Sequence, residues 1–457
     1  MINENKKHNA QKKNKNYNAI YPKTAFISFF SVIMIGTALL MLPISCKSGS
    51  VGFLDALFTA TSATCVTGLV VFDTFTKWTL FGQIVILCLI QIGGLGFMTI
   101  ITIITHYLRR RMSLKEKLLL KESFGSIYPG DLKSLSKTVI TGTIFFELIG
   151  AIILSTQFIP MMNFKNGLYT AVFLSVSAFC NAGFDVLGRI APGSSLAEVN
   201  SNPVIILTIS ALIIIGGIGF IVWKDIMVNK LNFKKYSLHS KITLCATAFL
   251  LLFGTVIYLV FESNNSFKDM PAWQTLMNAF FTSTTTRTAG FETVSTANLT
   301  DASTMMTYIL MFIGGSSGST AGGIKTSTFA ILIICIISTI KNSPDAECFG
   351  RKIPNDLIKK ATAIFFINFT TVFVFSIIIS AIQGEFDYFD VLFECISAMG
   401  TVGMTRGITS SLAVIPKMLI ILLMFAGRLT SLIFVFAFKF NNANNSIKKP
   451  EGKMLVG

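Results

Sequence analysis

Four stretches of this chain repeat one pattern: SATCVTGL, SAFCNAGF, TTTRTAGF and SAMGTVGM align on Gly68, Gly183, Gly290 and Gly403, roughly 110 residues apart. Six residues before each glycine stands a hydroxyl, Ser62, Ser177, Thr284 or Ser397, and ten before it a phenylalanine, Phe58, Phe173, Phe280 or Phe393. A short apolar segment leads into each glycine: FLDALFTATSA, GLYTAVFLSVSA, WQTLMNAFFTST and YFDVLFECISA. Each is predicted to be helical over about 10 to 12 residues, too short to cross a bilayer, which takes about 20. Asp55 and Asp390 fall at the starts of two of them, where the helix dipole favours a negative charge.

The bilayer enters through composition. The chain is 52% hydrophobic and 13% charged, against about 25% charged residues in soluble domains. Apolar runs of spanning length occur at Thr24 to Ser45, Trp78 to Tyr107, Lys137 to Phe158, Pro203 to Trp223, Ile242 to Phe261, Ala361 to Ile382 and Ile415 to Phe438, and an eighth, Thr304 to Ile340, is interrupted. This is the pattern of an integral membrane protein.

The net charge of +16 first suggests a nucleic-acid partner, and the placement of the charges argues against one. Most Lys and Arg lie before Thr24, in Arg109 to Lys137, Lys224 to Lys241 and Lys341 to Lys360, and in the tail from Lys439. The positive-inside rule then places these segments, with both termini, on the cytoplasmic side, and no nucleic acid is needed. Anionic lipid headgroups are the simple partner for such charge. Residues 1–23 read as a disordered cytosolic tail without a signal peptide's apolar region. The cysteines are scattered and contain no CxxC pair, so neither a disulfide framework nor a zinc site is expected.

Short helices between spans read as re-entrant hairpins that turn at the glycine and return as extended chain. Non-helical backbone at membrane depth is tolerated only where protein buries it or water reaches it. Four such loops facing one axis meet that condition together. The expected fold is an all-α integral membrane protein of four tandem helix–pore loop–helix units in pseudo-fourfold arrangement around one central pore, with eight spanning helices. The units are predicted at 24–108, 109–223, 224–340 and 341–440, with a cytosolic C-terminal tail at 441–457.

Cys65, Val66, Thr67 and Gly68; Cys180, Asn181, Ala182 and Gly183; Arg287, Thr288, Ala289 and Gly290; and Gly400, Thr401, Val402 and Gly403 would supply four rings of main-chain carbonyls. Their side chains differ, so the ligands are expected to be backbone oxygens, suited to a hard, desolvated monovalent cation such as K⁺. Glycine tolerates the dihedrals that such stacking requires, and four helix C-termini aimed at the hole add negative potential. An enzyme is not expected, because no carboxylate pair, Ser/His arrangement or metal cluster converges within the spans. An inverted-repeat transporter is disfavoured because the four units share one orientation.

The eighth run is interrupted by GGSSGSTAGGIKTS: Gly314, Gly315, Ser316, Ser317, Gly318, Ser319, Thr320, Ala321, Gly322, Gly323, Ile324, Lys325, Thr326 and Ser327. No continuous apolar helix favours such a cluster, and residues 314–326 are expected to form a mobile intramembrane gate; a kink or close-packing face is the alternative. GGLGF (Gly93 to Phe97) and GGIGF (Gly216 to Phe220) fit that alternative. The segment is superficially similar to a phosphate loop, yet Lys325 follows Ile324 and no strand precedes it. Arg428, inside the last run, is a functional candidate because an intramembrane arginine is costly, with snorkelling as the other reading. For Lys325 both readings stand open. Glu147 is expected to pack against a polar neighbour, and Glu394 to brace its hairpin.

These motifs resemble the Trk/Ktr/HKT superfamily of potassium transporters over about Thr24 to Phe440, and among them the membrane subunit of the Ktr potassium uptake systems. The resemblance implies K⁺ as the transported ion, since all four filter glycines are present. It implies a gate at Gly314 to Lys325 with Arg428 beside it, residence in the plasma membrane, a homodimer in which each chain keeps its own pore, and control by a KtrA-like ring of cytosolic nucleotide-binding subunits. Na⁺ as activator or co-ion, and hence channel against symport, stays open.

Overall fold

The computed structural model describes residues 26–96, 132–230 and 232–429. The expected tails at 1–23 and 441–457, most of the basic segment Arg109 to Lys137, and the far ends of the Trp78 to Tyr107 and Ile415 to Phe438 runs lie outside them.

The first unit contains α1 (Phe26–Leu40), α2 (Phe53–Cys65) and α3 (Leu80–Leu95). The second has α4 (Leu132–Met162), α5 (Phe164–Cys180), α6 (Pro203–Ile218) and α7 (Phe220–Asn229). The third has α8 (Leu238–Glu262), α9 (Ala272–Thr285), α10 (Asp301–Phe312) and α11 (Thr326–Ile340), and the fourth α12 (Asn355–Ile382), α13 (Tyr388–Gly400) and α14 (Val414–Leu429). Between α11 and α12 lies a small antiparallel pairing of Glu347–Cys348 with Arg351–Lys352.

Local chemistry sets the boundaries. Asn202 Oδ1 accepts from the amides of Val204 and Ile205 while Pro203 occupies the first turn of α6, where a missing N–H loses nothing. Ser237 and Thr300 cap α8 and α10 through the amides of Ser240 and Ser303. Glu262, at the end of α8, accepts from the Thr300 amide at 2.9 Å, the Thr300 hydroxyl at 2.8 Å and the Asn265 side chain at 2.8 Å. It thereby joins the end of one helix to the start of another.

Of the described helices, α4 (Lys137–Met162), α8 and α12 are long and apolar enough to cross a membrane, and α6 with α7 qualifies as a pair bent by 93°. Within the described residues the other apolar runs are shorter or interrupted as helices. The Pro203 to Trp223 run breaks at Gly219, whose φ of 104° is a conformation that L side chains rarely adopt. The Thr24 to Ser45 run is helical over Phe26–Leu40 and gives way to a 3₁₀ turn at Pro43–Ser45. The Thr304 to Ile340 run is split into α10 and α11, as its glycines suggest.

The short helices α2, α5, α9 and α13 have 13, 17, 14 and 13 residues, longer than expected and still below the about 20 needed to cross. Asp55 and Asp390 do fall in first turns. Packing runs in a cycle: α3 lies on α5, α6 on α9, α10 on α13, and α14 returns to α2. The last contact joins the two ends of the chain's order, and a Lys417 Nζ to Asp55 Oδ1 ion pair at 3.0 Å reinforces it. Phe58, Phe173 and Phe393 are fully buried in this arrangement. In the third unit Phe281 takes the buried place and Phe280 is half-buried.

A β-carbon at Gly219 would lie 2.8 Å from Ser317 O at a positive φ, whereas one at Gly217 would find Asn181 Nδ2 at an ordinary 3.5 Å. Gly219→Ala is expected to destabilise the protein by about 1–3 kcal/mol, read as a lower thermal midpoint in detergent. Gly217→Ala should leave that midpoint nearly unchanged.

Candidate functional site

Three of the short helices end in the same strained turn. Val66, Asn181 and Thr401 have φ of 57°, 58° and 50°, a left-handed conformation that asparagine tolerates and that is uncommon for the β-branched Val66 and Thr401. Two bonds hold each turn. The Val66, Asn181 and Thr401 amides donate to Ala63 O, Ala178 O and Ala398 O at 3.0–3.2 Å, and the Thr67, Ala182 and Val402 amides donate to Ser62 O, Ser177 O and Ser397 O at 2.8–2.9 Å. These bonds satisfy the last helix carbonyls, as at many helix ends that finish in a left-handed residue. The third hairpin is built differently. Thr288, Ala289 and Gly290 all direct their amides at Thr285 O, at 3.2, 2.9 and 3.4 Å.

The four glycines then meet. A β-carbon at Gly68 would lie 2.7 Å from Ala182 O, at Gly183 2.5 Å from Ala289 O, at Gly290 2.3 Å from Val402 O, and at Gly403 2.2 Å from Thr67 O. In every case the nearest atom is the carbonyl of the residue just before the next glycine, and the fourth contact closes on the first. The stretches Cys65–Gly68, Cys180–Gly183, Arg287–Gly290 and Gly400–Gly403 are thus gathered in one place. A β-carbon at any of the four glycines would collide with a neighbour's backbone.

The hydroxyls that precede the glycines divide by role. Ser62 Oγ and Ser397 Oγ accept from the Gly68 and Gly403 amides, each at 3.1 Å. Thr284 instead donates to Phe280 O, and Ser177 Oγ is buried with no partner among the described residues. Behind the hairpins, Gly93, Gly216 and Gly427 sit so close to Thr64 O, Phe179 O and Met399 O that a β-carbon would come within 2.1 Å. GGLGF and GGIGF therefore serve close packing, as read, and also end helices, with Gly96 and Gly219 at φ of 75° and 104°.

Residues 313–325 form a non-helical segment between α10 and α11 that folds against these hairpins. Ser316 N donates to Gly217 O at 3.0 Å and Phe220 N to Gly318 O at 2.8 Å, tying it to the break at Gly219. Thr320 Oγ1 donates to Phe179 O and accepts from Asn181 Nδ2, at 3.1 and 3.0 Å. Gly322 and Gly323 lie against Thr401 and Gly400. Arg428 is not snorkelling. Its Nη1 donates to Thr320 O, and its Nη2 to Gly93 O and Gly94 O. Lys325 turns back to Ala321 O at 2.7 Å and Gly322 O at 3.3 Å.

The TrkH family, described as a cation transport protein, matches residues 1–448. The chain belongs to the TrkH cation transport family. Among curated proteins it is 39% identical to the potassium/sodium uptake protein NtpJ of Enterococcus hirae over 94% of this chain and 95% of that one. It is also 39% identical to the Ktr system potassium uptake protein B of Bacillus subtilis, over 95% and 96% of the two chains. The crystal structure of the potassium transporter TrkH from Vibrio parahaemolyticus superposes with a TM-score of 0.69 over 90% of this chain and 84% of that one, at 17% identity. Family membership makes this a multi-pass membrane transport protein.

Other polar groups of this TrkH-family chain sort themselves around the hairpins. Glu147, whose neighbour was not legible, accepts from Gln91 Nε2 at 3.3 Å and lies 4.0 Å from Cys180 Sγ, immediately behind the second hairpin. Glu394 accepts from the hydroxyls of Thr405 and Thr409, holding the chain beyond Gly403. Sequence reasoning passed over Asp185 and Glu292, each two residues past a glycine. Burial raises the Asp185 carboxyl to about 6 and that of Glu292 to about 7. Thr326 was placed only at the edge of the loop, although its hydroxyl donates to Gly314 O at 3.0 Å and its amide to Gly315 O at 3.0 Å. The matching +2 offset could have singled out the two carboxylates.

Ser397→Ala removes the acceptor of the buried Gly403 amide and is expected to cost about 1–3 kcal/mol, seen as a lower thermal midpoint. Ser177→Ala, which removes an unpartnered hydroxyl, should cost less, and equal losses at the two positions would overturn this reading.

Proposed function

We propose that the chain takes up K⁺ across the cytoplasmic membrane through a filter of backbone carbonyls contributed by Cys65–Gly68, Cys180–Gly183, Arg287–Gly290 and Gly400–Gly403. The observation that carries this is the closed cycle in which each glycine abuts the carbonyl preceding the next. A cycle of four similar hairpins has a central axis, and the proposed fold is pseudo-fourfold about it, with one pore and, counting interrupted and bent runs as single crossings, eight spans. Successive carbonyls replace the ion's water, and filter glycines permit the close approach. The names of relatives in Enterococcus hirae and Bacillus subtilis, potassium/sodium and potassium uptake proteins, agree with this cargo.

The segment Gly314 to Lys325 is the gate in this reading, since it touches the second and fourth hairpins and is held by Arg428 to the end of α3. Arg428 also places a positive charge beneath the filter. The termini and the basic segments face the cytoplasm. The chain forms a homodimer, and a KtrA-like ring of nucleotide-binding subunits controls the gate from the cytosolic side. A Na⁺-coupled symporter is the second reading, favoured by the name of the Enterococcus hirae relative.

Gly68→Ser puts a β-carbon against Ala182 O and is expected to lower K⁺ over Na⁺ discrimination on the order of tenfold, the equivalent of about 1.4 kcal/mol. Reversal potentials in mixed K⁺/Na⁺ measure it, and an unchanged value removes the filter assignment. Deleting part of Gly315 to Gly322 should raise K⁺ flux in liposomes containing the purified chain alone; no gain rejects the gate.

A further inference from the structure

We propose that Arg287 is a positioning residue that couples the third filter hairpin to the gate segment through Thr326. The inference rests on the gate and filter reading above and adds to it a mechanical link between the two. Arg287 is buried, with 7% of its surface exposed, and stands three residues before Gly290. Its Nη2 donates to Thr326 Oγ1 at 3.1 Å. That hydroxyl donates in turn to Gly314 O at 3.0 Å, while the Thr326 amide donates to Gly315 O at 3.0 Å. Thr326 is therefore the clasp that brings the two ends of the segment together, and Arg287 grips the clasp. A charged donor polarises the hydroxyl and strengthens the bond that the hydroxyl makes to Gly314.

The other end of the arginine is a turn that transmits displacement. Three successive amides, those of Thr288, Ala289 and Gly290, share the single acceptor Thr285 O, so movement of Arg287 is felt at Gly290. The second hairpin also reaches the segment, through Asn181 Nδ2 to Thr320 Oγ1 at 3.0 Å, but with a neutral donor: position three before the glycine is Cys65, Cys180 and Gly400 in the other hairpins, and none of them can offer a guanidinium. The third hairpin is also the one that lacks the left-handed turn shared by the other three.

The contact is built to be released. Beside Arg287 lies a cavity of about 10 Å³ lined by Ile213, Ile214 and Leu251 together with Thr247 and Thr288, roughly the room for one water. Arg287 Nε and Thr247 Oγ1 both face no protein partner among the described residues. A guanidinium with an unused donor beside open space has somewhere to turn when Thr326 moves away. This separates Arg287 from Arg428, whose two terminal nitrogens are both committed to backbone carbonyls.

The test uses the purified full-length chain in liposomes, with Rb⁺ flux and the K⁺/Na⁺ permeability ratio measured together. Thr326→Val keeps the shape and removes the hydroxyl, and Arg287→Gln removes the charge. Each is expected to raise basal flux and lower the permeability ratio, on the order of tenfold for loss of one charge-assisted bond. The double variant should go no further than either single one, and Arg287→Lys should recover part of the change. Additive effects, or raised flux with an unaltered ratio, overturn the coupling. If the Gly315 to Gly322 deletion raises flux while the Thr326 and Arg287 variants behave as wild type, the coupling falls and the gate stands. A deletion without effect removes both.

Discussion

Everything in this molecule is arranged around four places where one backbone touches another with no side chain between. At Gly68, Gly183, Gly290 and Gly403 the neighbouring carbonyl occupies the volume a β-carbon would need. A second set of such contacts, from Gly93, Gly216 and Gly427 to the last carbonyls of the short helices, presses three of the hairpins inward from behind. Glycine is the residue that permits both. Backbone at membrane depth must be satisfied by protein or by water, and these contacts enclose it within protein.

The units are alike without being equal. Units one, two and four share the left-handed helix end and its pair of bonds, and two of those three tie the glycine amide to a serine. The third gives up that geometry, keeps a tighter turn on Thr285 O, and is followed by the split between α10 and α11. Its departure has a physical correlate. Arg287 needs a path to Thr326, and the segment from Ile313 to Lys325 draws its hydrogen bonds from the second unit's Gly216, Gly217 and Phe220. The asymmetry of the four hairpins and the presence of the non-helical segment belong to the same corner of the molecule.

Much of this was legible. The glycines, the phenylalanines ten residues earlier and the hydroxyls six earlier declare the repeat, because each marks a local requirement: a positive φ, a buried face, a turn to be capped. The gate candidate was equally visible as a run that no apolar helix favours. Less visible was how hydroxyls at one offset divide among capping, back-bonding and, among the described residues, no bond at all, as Ser62, Thr284 and Ser177 do. Hydropathy reports apolar character, and it is silent about the 93° bend at Gly219. Glu147 showed no partner because Gln91 and Cys180 come from other helices.

By itself, the order of residues determined the membrane setting, the fourfold recurrence, the positions of the short helices and the point where the eighth run breaks. These follow from periodicity and from the dihedral limits of single residues, which act within a few positions along the chain. The tertiary structure alone decided which carbonyl each glycine faces, that Arg428 joins Gly93 to Thr320, and that Arg287 reaches Thr326. Partners so far apart in sequence are chosen by packing of whole helices, and no local preference encodes that choice.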